Sequence, residues 1–345
     1  MNALPAAING KPTVISTFAG CGGSSLGYKW AGFKELLAIE WNDNAVETFK
    51  ANFPDVPVWQ RDITKVAPAE ILEFCKLRKG ELDILDGSPP CQGFSMAGKR
   101  CVQDPRNDLF LAFANLIGGL APKVFVMENV PGMAQGIMRG KFNEILAKLK
   151  SLNYTVKCRQ MNAMWYGVPQ SRRRLVFIGT RKDLDVNPSF PVSLLKKPIS
   201  VREALKDEKI KATRSQNSGC EVSIGLPKFN DKYSKLWDRL QPGQNAHYLL
   251  RKGQNSCVKI NPLKPSPTLP KLQTGHGFAT ICHWAEKRAL SITEAKKLCS
   301  FPDDFVMIGN YSEQWARLGN AVMPKFMEAI AKHIKKEILE KVYTK

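Results

Sequence analysis

The stretch Gly87-Ser88-Pro89-Pro90-Cys91-Gln92 holds the most reactive side chain in a setting built to present it. Two consecutive prolines fix φ and hold the next residue stiffly. Gly93, Ser95 and Gly98 follow, a composition that fits a turn better than a packed interior. A thiol with a pKa of about 8.5 is only a few per cent thiolate at neutral pH, so a nucleophilic Cys91 needs positive neighbours. Lys99, Arg100 and Arg106 are near in sequence, and Arg172, Arg173 and Arg174 form a second cluster. The plain alternative for any one cysteine is an inert, buried thiol.

Other residues extend the list. Glu128-Asn129-Val130 closes an apolar run, where a partly solvated carboxyl could hydrogen-bond or protonate a ring nitrogen. Phe18-Ala19-Gly20-Cys21-Gly22-Gly23 follows another apolar run, and its glycines let backbone N–H groups approach a cofactor. The dinucleotide fingerprint requires a further glycine at position 25, where Ser25 stands, which weakens a nicotinamide reading. Glu40 lies where an acid can accept hydrogen bonds from a ribose diol, and Asp62 where a third strand should end. An empty tight turn with two solvated acids would leave the same trace.

These residues need a scaffold, and the pattern supplies one. Thr13–Phe18, Glu35–Ile39, Leu82–Leu85, Lys123–Met127 and Leu175–Gly179 have strand character. A helical pattern runs through Trp30, and others cover Ala45–Asn52, Phe110–Leu120 and Lys141–Leu152. This alternation predicts an α/β fold with a mostly parallel sheet covered on both faces, whose carboxyl edge would carry Cys91 and Glu128. Alternation along Gln170-Ser171-Arg172-Arg173-Arg174 sends Arg172 and Arg174 to one face and Arg173 to the other. From Asp183 to about Pro270 the rhythm breaks into a Pro-, Lys-, Asn- and Ser-rich block, which predicts a smaller, irregular second domain. Helices return at Thr293–Ser300 and Lys325–Val342.

Composition limits the function. With 43% hydrophobic and 24% charged residues the 345-residue chain is an ordinary globular protein, long enough to bury a core. The longest charge-free stretch, 12–28, is too rich in Ser, Thr and Gly for a membrane span, and no secretory signal opens the sequence. Nine cysteines without a Cys-x-x-Cys pair, and four scattered histidines, argue against a disulfide scaffold or a metal site. A cytoplasmic protein with reduced thiols is expected. The net charge of +20 favours a polyanionic partner.

Taken together and in order, the motifs resemble those of the cytosine-C5 DNA methyltransferases of bacterial and phage modification systems. The matching elements are Phe18–Gly23, Glu40, Asp62, Gly87–Gln92, Glu128-Asn129-Val130, Gln170-x-Arg172-x-Arg174, Arg288–Glu294 with Phe301-Pro302, and Gly319-Asn320-Ala321-Val322. Leu290-Ser291 replaces the family's usual Leu-Thr, and Met323-Pro324 its usual proline after the last motif. The resemblance implies a Rossmann-like methyltransferase domain over 1–182 and a target-recognition domain over 183–283. A return segment with a C-terminal helix, 284–345, would pack on the catalytic domain.

The resemblance also implies roles. Cys91 would be the nucleophile, Glu128 would hold the base, and Arg174 with Arg172 would neutralise developing negative charge. S-adenosylmethionine would be held by Phe18, Gly20, Gly22, Gly23, Glu40, Trp41, Asp62, Ile63, Gly87, Pro89, Asn320 and Val322. Double-stranded DNA would be the partner, its target cytosine flipped out and covered by a loop over Gln92–Asp108. The expected protein is a monomer without metal, in a system that could include a cognate restriction endonuclease. Competing expectations are the same chemistry on tRNA and a catalytically inactive DNA-binding homologue. An amino-methyltransferase would carry an aromatic residue where Cys91 stands.

Overall fold

Each residue of β1 (Thr13–Thr17) is buried, because in the computed structural model β1 lies inside a seven-stranded sheet ordered Val58–Gln60, Lys34–Glu40, β1, Ile84–Gly87, Val124–Asn129, Arg173–Arg181, Tyr154–Asn162. Residues 10–90, 107–135, 139–206, 231–246, 257–275 and 278–344 are described. The chain divides into two units: Met1–Asn162, Arg173–Val192 and Phe326–Lys345 form the first, and Ala163–Arg172 with Ser193–Lys325 the second.

In unit 1, β2 (Lys34–Glu40), β3 (Val58–Gln60), β4 (Ile84–Gly87) and β5 (Val124–Asn129) run parallel to β1. The last two strands of the sheet, β6 (Tyr154–Asn162) and β8 (Arg173–Arg181), run in opposite directions to each other, and β8 runs against β5. The two-residue β7 (Gln170–Ser171) lies between them in sequence and belongs to unit 2. The antiparallel return of β8 carries the start of that strand to the edge where β5 ends, with Asn129 opposite Leu175 and Glu128 opposite Val176.

Strand alternation gives the sheet two different faces. Ile15, Leu37, Ile39, Leu85, Phe125, Met127 and Phe177 share an apolar face. It is covered by α3 (Pro68–Cys75), α4 (Asn107–Leu120) and α5 (Arg139–Ser151) through Ile71, Phe113, Leu116, Ile117, Ile145 and Leu149. At roughly 1.5–3 kcal/mol per buried large side chain, this layer can hold the unit together. The opposite face can therefore carry polar groups beneath α1 (Gly23–Trp30). Asn42 starts α2 (Asp43–Asn52) by accepting a hydrogen bond from the Ala45 amide, 3.1 Å away.

At the other end of the strands, Lys123 and Asp83 form a buried ion pair at 2.6 Å. The Asp83 carboxylate also accepts from the Thr13 amide at 2.7 Å and from the Tyr343 hydroxyl at 2.6 Å. Three distant chain segments thereby satisfy one buried charge, as burial requires.

The expected strands and helices are found with boundaries moved by a few residues. The expectations omitted β6 and α3, and in unit 2 the helices Asp231–Arg239 and Tyr311–Asn320. In β6 the polar Lys157, Arg159 and Gln160 blur the apolar signal of a strand at the end of the sheet. The long C-terminal helix is interrupted: Pro324–Ile334 is α-helical, Lys335–Leu339 is a π-helical turn, and Glu340–Tyr343 returns to α.

Among the described residues, unit 2 is irregular, with strands only two residues long, such as Val258–Lys259 and Ile281–Cys282, which pair in parallel. Its longest helices among the described residues are Tyr311–Asn320, started by an Asn310/Glu313 capping box, and Asp231–Arg239. Gly319-Asn320, which as a bare dipeptide has turn character, closes the first of these helices. A Cβ on Gly319 would come within 2.3 Å of the Pro270 carbonyl oxygen, so close packing there requires glycine.

Candidate active site

The ends of β1, β2, β4 and β5 and the start of β8 carry the candidate residues of unit 1 at the carboxyl edge of the sheet. After β1 the chain turns sharply, with positive φ at Phe18 (54°), Gly20 (57°) and Gly22 (94°). Holding a phenylalanine left-handed costs about 1–3 kcal/mol, so the turn is imposed by its surroundings. One of these is Glu40, at the end of β2. Its carboxylate accepts from the Gly20 amide at 2.8 Å and from the Trp41 and Asn42 amides at 2.9 and 3.0 Å. Three backbone donors orient both oxygens and leave acceptor capacity for a ligand hydroxyl.

The glycines of this turn serve different purposes. A Cβ on Gly22 would meet the Phe53 ring at 2.3 Å, so Gly22 is required by packing as well as by φ. A Cβ on Gly20 would meet nothing within 4 Å, leaving open space beside the backbone. Gly23 is buried in the first turn of α1. Trp41 is 73% exposed, an indole without cover from the chain. Asp62 is exposed, and its Oδ1 accepts from the Thr64 amide at 3.0 Å and the Thr64 hydroxyl at 2.8 Å. Those hydrogen bonds hold its carboxyl below the ordinary aspartate value. Ile63 beside it is buried.

The end of β4 is fastened to β1 and β5. Thr17 Oγ1 donates to the Asp86 carbonyl at 2.9 Å, and a Cβ on Gly87 would strike the Phe113 ring at 2.5 Å and Thr17 Oγ1 at 2.6 Å. Two residues on, the buried Pro89 accepts from Asn129 Nδ2 at 3.1 Å. The Pro-Pro turn is thus tied to the residue next to Glu128. Cys91 itself, the Gln92–Arg106 part of the expected covering loop, and the nearby Lys99, Arg100 and Arg106 lie outside the described residues.

Glu128 and Arg174 form an ion pair, Arg174 Nε to Glu128 Oε1 at 2.5 Å, with side chains 13% and 11% exposed for Arg174 and Glu128 respectively. Little water screens such a pair, so the guanidinium fixes the orientation of the carboxyl group.

Arg172 has a different environment, in unit 2. It lies outside β8: its amide donates to the Gln170 carbonyl at 3.0 Å and its carbonyl accepts from the Ala163 amide at 2.9 Å. This local turn interrupts the strand, so alternation does not extend from Arg174 back to Arg172. Buried to 3% exposure, the Arg172 guanidinium donates to the Gly319 carbonyl at 2.9 Å and the Leu269 carbonyl at 3.4 Å. It secures the helix end just before Asn320, which is exposed, and Val322, which is buried.

A model of the C-5 cytosine-specific DNA methylases matches residues 12–336. The chain belongs to this family. Its relatives include the type II methyltransferase M1.HphI of Haemophilus parahaemolyticus, 34% identical over 340 residues that cover 94% of this chain and 87% of that protein. M.MthTI of Methanothermobacter thermautotrophicus is 30% identical over 346 residues, covering 94% and 97%. A solved structure assigned to a prophage-encoded DNA modification methyltransferase of E. coli superposes with a TM-score of 0.77 at 25% identity, covering 95% of this chain and 100% of that one. A Spodoptera frugiperda DNMT2 structure, 20% identical with a TM-score of 0.65, shares the fold.

This C-5 cytosine methylase is therefore a DNA methyltransferase related to type II modification enzymes, acting on DNA and drawing on a methyl donor. Among the described residues, no helix is long and apolar enough to cross a membrane, and no group of three or more His, Cys, Asp or Glu side chains could hold a metal. Two site features of the methylase escaped the sequence reading: the Asn129–Pro89 tie and the buried Asp86 carboxyl. Asn129 was visible in its motif, but its partner carbonyl lies 40 residues away. Asp86 directly precedes Gly87, in a position that an ordinary strand-end acid would also fill.

Proposed function

We propose that this methylase transfers a methyl group from S-adenosylmethionine to C5 of a specific cytosine in double-stranded DNA, with Cys91 adding to C6 of a base turned out of the helix. The observation that carries the proposal is the Glu128–Arg174 pair beside the Asn129–Pro89 tie, which brings the turn before Cys91 to the strand end bearing Glu128. A nucleophile and a base-holding acid on neighbouring strand ends are what addition to a pyrimidine requires.

Cytosine C5 is a poor nucleophile. Addition of the Cys91 thiolate to C6 makes C5 enamine-like, splitting one hard step into easier ones. Glu128 holds N3 and the exocyclic amine, supplying the proton that stabilises the ring as the C6–S bond forms. Arg174 keeps Glu128 in place and offsets negative charge developing near O2. S-adenosylmethionine, when bound, offers C5 an electrophilic sulfonium methyl. A base, for which water suffices, then removes the C5 proton; the C5=C6 bond re-forms, the C6–S bond breaks to return the Cys91 thiolate, and the N3 proton goes back to Glu128. Attack at C6 comes perpendicular to the ring, which stacked neighbours block, so the base must leave the duplex at a cost of a few kcal/mol.

The residues present fit the donor. The open space at Gly20 admits a ligand against backbone, Glu40 keeps acceptor capacity for a ribose diol, Trp41 offers an indole face to adenine, and Asp62 a carboxylate to its amine. Phe18, Gly22, Gly23, Ile63, Gly87 and Pro89 shape the same edge, and Asn320 and Val322 are the remaining candidates for the donor. Arg172 acts as a positioning residue through Gly319 rather than on the base. The basic block over 183–283 reads the target sequence, and the enzyme works as a monomer in a type II modification system.

A duplex carrying 5-fluorocytosine at the target tests the chemistry, because fluorine cannot leave as the C5 proton does. The expected result is a denaturation-resistant protein–DNA adduct that depends on S-adenosylmethionine and is lost in Cys91→Ala. Methyl transfer retained by Cys91→Ala would overturn the thiol mechanism. Labelling of tRNA but never of duplex DNA would move the same chemistry to RNA.

A further inference from the structure

On the face of the sheet that α1 covers over β1 and β2, five adjacent strands each turn one polar side chain to the same side. They are Glu35 on β2, Ser16 on β1, Asp86 on β4, Glu128 on β5 and Arg174 on β8, on the same face by the register of the strand pairs. From above, α1 adds Ser24, Ser25 and Tyr28. The Tyr28 hydroxyl donates to Asp86 Oδ1 at 3.2 Å, and the Ser25 hydroxyl donates to Glu35 Oε1 at 2.9 Å. Asp86 is 3% exposed. Within this row three carboxyls meet one guanidinium, and that guanidinium is committed to Glu128. The row is short of positive charge.

The missing cation has a natural source. Asp86 directly precedes Gly87, and Ser24 and Tyr28 lie on the helix that begins at the Gly22 turn, so both segments assigned to the methyl donor abut this carboxyl. We infer that Asp86, supported by Glu35, is the counter-charge for the sulfonium of the donor and sets the preference for donor over the neutral thioether product. The inference rests on S-adenosylmethionine being the donor.

Ionisation behaviour agrees with the geometry. Burial pushes both carboxyls up to about 7, with Glu35 and Glu128 adding to the effect at Asp86 and hydrogen bonds from Ser24 and Tyr28 opposing it. Tyr28 is pushed well above its ordinary value by burial and by Asp86, so it remains a phenol and a donor. A cation arriving beside a protonated carboxyl favours its ionised form, so the donor would bind with release of a proton. The product lacks the sulfonium charge and gives no such release. Affinity for the donor therefore climbs as pH rises towards the carboxyl value and levels off above it, while affinity for the product lacks this dependence.

Isothermal titration of the full chain with S-adenosylmethionine and with S-adenosylhomocysteine, each in two buffers of different ionisation enthalpy, counts the protons. The expected result at pH 7 is net release with the first ligand and close to none with the second. The ratio of the two affinities should climb by up to about tenfold per pH unit below 7 and flatten above 8. Asp86→Asn should abolish both the excess release and the slope, and Glu35→Gln should reduce them. Equal proton release by the two ligands in the unmodified protein, a count that needs no variant, would overturn the inference. So would an unchanged slope in folded Asp86→Asn. Failure of both ligands to bind would instead overturn the donor assignment on which the inference stands.

Discussion

Glu128 and Arg174 show how one pair can serve stability and chemistry unequally. Glu128→Gln keeps a hydrogen-bonding group of the same shape but removes the acid, so methyl transfer should fall by roughly 10²–10³-fold with little change in melting temperature. Arg174→Ala leaves a mostly buried carboxylate without its partner, at a cost of about 3 kcal/mol, and lowers turnover as well. Thermal denaturation alongside tritiated methyl transfer separates the two effects; a large stability loss in Glu128→Gln would contradict this division. Both residues were legible in the sequence as candidates, because they sit in short motifs, whereas their pairing came only from the antiparallel register of β5 and β8. Arg172 was less legible. Its motif spacing matches Arg174, yet a one-residue turn hands its guanidinium to two backbone carbonyls of unit 2, and no spacing rule encodes that turn.

Among the elements, the turn over Phe18–Gly23 that follows β1 is better described by two contrasting glycines than by its motif. Gly22→Ala combines a φ of 94° with a Cβ 2.3 Å from the Phe53 ring, so it should destabilise the fold by a few kcal/mol. Gly20→Ala, at φ 57° in open space, should cost only about 1 kcal/mol yet block the approach of a donor to the backbone. Chemical denaturation and donor titration of the two variants should rank them in opposite orders.

The polar layer under α1 makes a further prediction. Asp86 and Glu35 are raised to about 7, so between roughly pH 4 and 7 the folded protein holds protons that the unfolded chain has released. Stability of the ligand-free enzyme should fall as pH climbs through that window and level off above it. Asp86→Asn should raise the melting temperature at pH 8 and change it little at pH 4; a destabilised variant at pH 8 would count against a strained carboxyl. Parallel strands were legible from their apolar runs, whereas β6 was not, since it carries polar residues outward at the end of the sheet. The polar layer was hidden for another reason: its members come from five strands and become neighbours only through register.

For the whole molecule, a net charge of +20 on a DNA methyltransferase predicts binding dominated by phosphate contacts. Raising salt from about 50 to 200 mM should weaken binding to duplex DNA by on the order of 10³-fold, whatever the sequence outside the target. Fluorescence anisotropy across that range measures it, and a flat response would point to apolar contacts instead. Composition marks the block over 183–283 as basic and rich in Pro, Asn and Ser, but it cannot name a target sequence, because recognition depends on where side chains meet a groove.

Unit 1 is assembled from three separated stretches of chain, the last of which delivers the Tyr343 hydroxyl to an aspartate 260 positions earlier. On a ribosome, residues 1–162 emerge with Asp83 and Lys123 already present but without β8, which separates β5 from β6 in the sheet, and without the C-terminal helix. All of unit 2 must be translated before that helix arrives. The nascent polypeptide therefore spends most of its synthesis with the Asp83–Lys123 pair lacking its Tyr343 partner, the interval in which chaperones would find it and proteases would cut it.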